Sequence, residues 1–115
     1  MDSKDAIRLR HMIEAAEDVQ RFIDGRQRTE LDSDRMLLFA LVRAIEIIGE
    51  AANKVSDDTR SIAAGIPWKP IVGMRNRLIH AYFDINADML WVAATVEIPA
   101  LLVQLKVLIG EMPSE

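Results

Sequence analysis

One segment in the middle of the chain is apolar around most of a helical circumference, and no other feature constrains the fold as strongly. Residues 36–55 read MLLFALVRAIEIIGEAANKV. At about 100° per residue their polar side chains form one narrow stripe, which comprises Arg43, Glu46, Glu50 and Asn53. Neighbouring elements have to cover the other sides of such a helix, so the segment predicts a buried helix in a helical bundle.

The segments on either side of this helix also carry helical patterns. Residues 5–24 place apolar side chains mostly three or four positions apart, which predicts an amphipathic first helix. Asp32 or Ser33 is expected to cap the buried helix, because the side chains of Asp and Ser accept from unpaired amides at helix starts. Ser56 is expected to cap a short helical turn in the same way.

Two more helices are predicted in the second half of the chain. A helix that begins with proline is expected over residues 67–82. Asn86 is expected to cap the last helix, over residues 86–110, in which charged side chains interrupt the apolar stretch and argue against a membrane span. Pro99 removes a backbone donor inside this helix and predicts a kink near Ile98.

Composition limits the fold class and the kinds of function. Half of the 115 residues are hydrophobic but only 5% are aromatic, which favours an all-α fold over a β-sandwich. The length suits a single domain over residues 1–115, an up-and-down bundle of four to five helices. The chain has no cysteine, which excludes disulfides and thiolate zinc sites. A net charge of −4 argues against broad adhesion to nucleic acid, and the N-terminus has no signal-peptide pattern, so we expect a cytoplasmic protein.

The amount of apolar helix surface predicts self-association. Two helices in this chain are too apolar for the surface of a small monomer. Folding covers some of their faces and should leave one for a partner, and a homodimer is the simplest arrangement that covers it.

A cluster of polar residues lies within the predicted helix 67–82. On a helical wheel Arg75 falls in the middle of an apolar stripe, and Asn76 and His80, four positions apart, share the flank of that stripe. Tyr82, the only tyrosine, follows His80 by two positions. An unpaired buried charge costs on the order of several kcal/mol, so Arg75 needs an anionic partner or a wet cleft.

Two interpretations of this cluster remain open at the sequence level. In the first, Arg75 pairs with Glu46 or Glu50, and the histidine and tyrosine have packing roles. In the second, Arg75, His80 and their neighbours line a phosphate-binding cleft in which the imidazole transfers protons. RNA cleavage through its own 2′-hydroxyl needs a base, an acid and a stabilised negative charge, and it needs no metal. The other histidine, His11, has only Glu14 one turn away, which argues against a metal site there.

The segment RNRLIHAY, residues 75–82, matches the R-x4-H-x-Y signature of the HEPN superfamily. Together with residues 44–56, residues 66–86 and the pair Leu90 and Trp91, it makes nearly the whole chain resemble the HepT-like toxins of the MNT/HEPN toxin-antitoxin systems. The resemblance implies a helical dimer in which the two motifs face each other across a cleft. It also implies a metal-independent ribonuclease that uses no cofactor and acts on RNA as a toxin.

Residue by residue, the resemblance implies that Arg75 holds the scissile phosphate and that His80 takes part in proton transfer. Asn76 would orient the site as the polar residue after the arginine. Tyr82 matches the tyrosine to which a cognate nucleotidyltransferase antitoxin attaches AMP to silence the toxin. The alternative is a non-catalytic helical subunit that presents nucleotide or substrate to a partner nucleotidyltransferase.

Overall fold

Helices make up most of the molecule, as the composition predicted. The computed structural model describes residues 1–81 and 84–113. The helices are α1 (Ser3–Ile23), α2 (Glu30–Ser33), α3 (Arg35–Asn53), α4 (Asp57–Ile62), α5 (Trp68–Val72), α6 (Met74–Leu78), α7 (Ala87–Val92) and α8 (Ile98–Leu108), with a π-helical segment, Ala93–Glu97, between the last two. Two short antiparallel strands, β1 (Ile79–Ala81) and β2 (Asp84–Ile85), form the only sheet in the described residues. The all-α class is confirmed.

The core forms between the long helices. Helix α1 packs against α3 and α8, and α5 and α6 pack against α3. Large side chains that are almost fully buried come from α1, from α3 and from the last helical stretch, α7 to α8. They are Leu9, Met12, Ile13, Val19, Leu41, Ile45, Ile48, Leu90, Ile98 and Leu105. The prediction that α3 is covered by its neighbours is therefore confirmed, although Met36 and Phe39 near its start remain exposed.

Side-chain caps begin four of the helices: Asp2 caps α1 by accepting from the amide of Lys4 at 2.7 Å, and the other three caps are at α3, α4 and α7. Ser56 accepts a hydrogen bond from the amide of Thr59 at 3.4 Å, and Asn86 accepts one from Met89 at 3.0 Å, as predicted. The cap of α3 is Asp34, whose carboxylate accepts from the amide of Leu37 at 3.1 Å. The prediction of Asp32 or Ser33 is wrong because both residues belong to the separate helical turn α2.

The helix predicted over residues 67–82 is shorter and divided in two. Gly73 separates α5 from α6, and α6 ends at Leu78, where the chain becomes extended and Ile79 pairs with Ile85. The amide of Asn86 donates to the carbonyl of Leu78 at 2.8 Å and fixes the point where the helix stops. Pairing with a later segment has overridden helical propensity, and His80 lies on a strand.

Pro99 perturbs the last helix one turn before its own position. The helix widens into the π-helical segment, at the end of which the amide of Ile98 donates to the carbonyl of Ala93. Proline lacks an amide donor and clashes with the carbonyl four residues earlier, and the wider turn accommodates it. The structure thus shows a local widening of the helix next to Ile98, where the sequence predicted a kink.

The segment Ala87–Leu108 is long and apolar enough to cross a membrane, by length and composition alone. In this fold its side chains Leu90, Ile98 and Leu105 belong to the core that α1 and α3 share.

A buried carboxylate fastens α1 to the start of α4. Asp5, only 3% exposed, accepts from the Ser56 amide at 3.0 Å, from the Ser56 hydroxyl, and from the Thr59 hydroxyl at 2.6 Å. The hydrogen bonds from Ser56 and Thr59 lower the pKa of Asp5 below its usual value. The same side chain thus supports the cap of α4 and the packing of α1.

Replacing Asp5 with alanine is expected to lower the melting temperature at neutral pH by about 5–10 °C, because three donors lose their buried acceptor. The lowered pKa means that Asp5 stabilises the fold above its unfolded pKa of about 3.9 and that this contribution is lost as the pH falls through the folded value. The difference between the two proteins should therefore shrink below about pH 4. Calorimetry at several pH values measures the melting temperatures of the wild type and the Asp5 variant, with the exposed Asp58→Ala as control. Equal melting temperatures of the wild type and the Asp5 variant at pH 7 would contradict the stabilising role of Asp5.

Candidate functional site

Helix α6 carries the polar cluster on its outer side. It buries Met74 and Leu78 against the core and leaves Arg75, Asn76 and Arg77 exposed. The prediction that Arg75 is centred on a buried apolar stripe is wrong, because that stripe assumed one continuous helix through residue 82. The side chain of Arg75 is 48% exposed and accessible to a ligand.

A carboxylate on the neighbouring helix orients Arg75. Its Nε lies 2.7 Å from Oε2 of Glu46 on α3, and Glu46 is itself 3.7 Å from Arg43. The ion pair of the first interpretation is confirmed, with Glu46 as the partner, whereas its packing role for His80 is wrong because that side chain is exposed. Because the bond uses Nε, the terminal guanidinium nitrogens remain for another ligand, and neither makes a hydrogen bond within residues 1–81 and 84–113.

Arg75 and Asn76 line an open cleft between α3 and the α5–α6 pair. The cleft has a volume of about 230 Å³, and its other lining residues are Glu46, Gly49, Glu50, Asn53 and Val72. A Cβ atom added at Gly49 would meet the carbonyl oxygens of Ile71 and Val72 at 3.5 Å, so the helices approach closely there.

His80 lies apart from this cleft in the single chain. It is exposed on β1 and does not line the cleft that holds Arg75 and Asn76. The prediction that His80 shares a helical flank with Asn76 is wrong, since the helix ends at Leu78. Tyr82 lies outside the described residues.

Arg77 takes a different direction from Arg75. Its guanidinium donates to the carbonyl of Pro70 at 3.3 Å and lies 3.6 Å from the carboxylate of Glu97. It therefore ties α6 to α5 and to the π-helical segment, and it does not line the cleft.

A second, smaller cavity of about 110 Å³ lies between α1 and α3, and the sequence patterns gave no sign of it. Its lining residues are Arg8 and His11 from α1, and Ile47, Glu50, Ala51 and Lys54 from α3. These two groups lie about 40 positions apart in the chain, so no local spacing could connect them. Within residues 1–81 and 84–113, no group of three or more His, Asp or Glu side chains is placed to hold a metal ion.

The arrangement around Arg75 suits the binding of a phosphate group. A guanidinium held through Nε by a carboxylate presents its remaining donors in a fixed plane, and that geometry matches the oxygens of a phosphate. The amide of Asn76 adds a neutral donor in the same cleft. The single chain thus places the donors of Arg75 and Asn76 in one cleft and, separately, exposes an imidazole at His80.

Comparisons with known proteins agree on one family. The sequence model of the family described as "Ribonuclease HepT-like" matches residues 12–108. A Methanocaldococcus jannaschii protein named "Putative RNase MJ1380" is 39% identical over 88 residues, which cover 76% of this chain and 81% of that protein. "Putative RNase TTE0752" of Caldanaerobacter subterraneus subsp. tengcongensis is 37% identical, with 85% and 88% of the two chains covered.

A third relative, "Probable ribonuclease HepT" of Thermococcus cleftensis, is 36% identical over 93 residues, which cover 81% of this chain and 84% of that protein. No solved structure gave a significant match.

Proposed function

The chain belongs to the HepT-like ribonuclease family, and from this premise we propose that it is a metal-independent endoribonuclease toxin of a toxin-antitoxin pair. Its substrate is RNA, which it cuts by attack of the RNA's own 2′-hydroxyl. The single observation that carries this proposal is Arg75, exposed in the cleft beside Asn76 and oriented by Glu46 at 2.7 Å.

The reaction needs only groups that this chain carries. The 2′-oxygen attacks the adjacent phosphorus and loses its proton to a base, while the bond to the 5′-oxygen breaks and that oxygen gains a proton from an acid. The products are a 2′,3′-cyclic phosphate and a 5′-hydroxyl. Arg75 would stabilise the extra negative charge on the phosphate, and His80 would move a proton.

We place the complete site between two copies of the chain. Within one chain His80 does not line the Arg75 cleft, so a second copy is the simplest way to bring an imidazole to the bound phosphate. Apolar side chains left exposed on α3 and on the last helix support association; among them are Met36, Phe39, Met89, Val92 and Val96.

Sedimentation tests this dimer. At micromolar concentration the protein is expected to have twice its chain mass of 13.0 kDa, because exposed apolar side chains are covered on association. A monomer at that concentration would reject the composite site.

Control by a partner completes the proposal. A cognate nucleotidyltransferase would transfer AMP from ATP to the hydroxyl of Tyr82 and so silence the toxin. We expect both proteins to act in the cytoplasm, where RNA and ATP are present.

One observation favours the non-catalytic alternative. Because His80 and Arg75 do not meet in one chain, the protein could instead present nucleotide or substrate to a partner nucleotidyltransferase. Such a subunit would bind RNA or nucleotide without cutting it, so cleavage by the purified protein separates the two functions.

The purified protein is expected to cleave single-stranded RNA in the presence of EDTA and to leave 2′,3′-cyclic phosphate ends. RNA with 2′-O-methyl groups, which lacks the attacking hydroxyl, should remain intact. Product ends can be identified by mass spectrometry. Loss of cleavage on chelation, or ends that carry a plain 5′-phosphate, would contradict the mechanism.

A further inference from the structure

The cavity between α1 and α3 is distinguished by its charge. Of the fourteen lysine and arginine residues, eight form ion pairs with carboxylates: Arg10, Arg21, Arg26, Arg28, Arg43, Arg75, Arg77 and Lys106. Arg35 and Arg60 lie over the rings of Phe39 and Trp68. Among residues 1–81 and 84–113, the four remaining cations have neither kind of partner: Lys4, Arg8, Lys54 and Lys69. Two of these four, Arg8 and Lys54, line this one cavity together with His11.

The acidic group in the cavity does not cancel this charge. Glu50 is its only carboxylate, and Oε1 of Glu50 lies 3.5 Å from Arg43, which is outside the cavity. Arg8 is half-buried and lines the cavity. In a chain with a net charge of −4, this is a local concentration of positive charge.

The size of the cavity limits the size of the ligand that it can hold. A volume of about 110 Å³ is well below the roughly 300–1,000 Å³ of sites for drug-sized molecules, so it suits a single phosphate group and not a whole nucleotide. Lysine and arginine are the usual donors to backbone phosphates.

The cavity adjoins the Arg75 cleft. Glu50 lines both, with Glu46 and Asn53 on the cleft side of α3 and Lys54 on the cavity side. The two depressions are therefore separated by no more than the width of one helix, about 10 Å. One RNA strand can lie across α3 with a phosphate in each.

We propose that Arg8, His11 and Lys54 form a second phosphate-binding subsite, which holds a phosphodiester of the RNA strand flanking the one at Arg75. This inference rests on the proposed function, because the subsite would bind a further part of the same RNA that Arg75 holds. The subsite contributes affinity and positions the strand, and it takes no part in bond breaking.

Binding to an RNA that cannot be cut tests the subsite apart from cleavage. The probe is a fluorescein-labelled, fully 2′-O-methylated single strand of about 12 nucleotides, within the range of single-strand site sizes. The double variant Arg8→Gln/Lys54→Gln is expected to bind it about tenfold more weakly by anisotropy. The slope of log affinity against log salt should fall by about 0.7 for each phosphate that the variant no longer neutralises.

The control Arg10→Gln/Arg21→Gln removes the same charge from exposed positions of α1 that do not line the cavity, and we expect its affinity to change by less than about twofold. Equal losses in both double variants, or no loss in the cavity variant, would overturn the proposal. If the cavity variant loses helicity, Lys54→Gln alone, at an exposed position, should weaken binding by about threefold, and an unchanged affinity would overturn it.

Binding of inorganic phosphate shows whether the cavity holds a free anion or a phosphate group of RNA. If the ion binds the wild type but not the cavity variant, while both bind the RNA equally, the cavity holds a free anion and the proposal is rejected. If the proposed nuclease activity is wrong but the subsite is right, unmodified RNA should bind through this subsite and stay uncut.

Discussion

Replacing His80 with alanine is expected to lower the rate of RNA cleavage by about two to four decades, because the variant loses a group that moves a proton in the transition state. His80 is exposed on β1, so its removal should leave no cavity in the core. Helicity by circular dichroism and the sedimentation coefficient should both stay at wild-type values. Initial rates on a labelled single-stranded RNA measure the effect.

Three further variants sharpen this test. Asp84→Asn changes an exposed polar residue on the paired strand β2 and should cleave at the wild-type rate. Arg75→Gln should lower both cleavage and RNA affinity, whereas Arg77→Gln, which removes the same charge outside the cleft, should do neither. A folded His80→Ala dimer that still cuts RNA at the wild-type rate would rule out its proposed role in proton transfer.

Phenylalanine at position 82 is expected to give a nuclease that the partner nucleotidyltransferase cannot silence. In the wild type, the phenol oxygen would attack the α-phosphorus of ATP and release pyrophosphate, leaving AMP on the side chain. Each adenylate adds a phosphodiester charge and bulk to a residue two positions after His80, which should prevent RNA phosphate from binding. Tyr82→Phe removes only the acceptor oxygen.

Intact-mass spectrometry after incubation with the partner and ATP measures this modification. Because Tyr82 is the only tyrosine, the wild type should gain mass in whole adenylate increments while the phenylalanine variant gains none. Both proteins should cut RNA before incubation, and only the variant should do so afterwards. Equal modification of the two proteins, or an unmodified wild type, would reject Tyr82 as the target.

Features set by short-range patterns were predictable from the sequence. The apolar circumference of α3 required burial wherever the helix lay, and side chains such as Leu41, Ile45 and Ile48 are indeed in the core. The caps at Ser56 and Asn86 were predictable because a cap depends on residues only three positions away. The sequence limited the ion-pair partner of Arg75 to Glu46 or Glu50, because an arginine on a helix within a bundle needs an anion nearby.

The end of α6 was not predictable in this way. Residues 67–82 have a helical pattern, yet pairing of Ile79 with Ile85 and the hydrogen bond from Asn86 to Leu78 stop the helix four residues early. Both interactions join segments several residues apart, and their free energy outweighs the small propensity differences that a helical wheel represents. The wheel therefore misplaced Arg75 on a buried face and His80 on the flank of Asn76.

The sequence by itself determined the helical class and the burial of α3, since these follow from composition and periodicity. It also supplied the R-x4-H-x-Y motif, whose family resemblance makes Arg75, Asn76 and His80 the predicted site residues. Only the tertiary structure decided that Arg75 is exposed and held by Glu46, that His80 lies apart from it, and that cations of α1 and α3 share a cavity. The physical reason is distance along the chain: these arrangements depend on how separate helices pack, and packing joins residues that no local spacing connects.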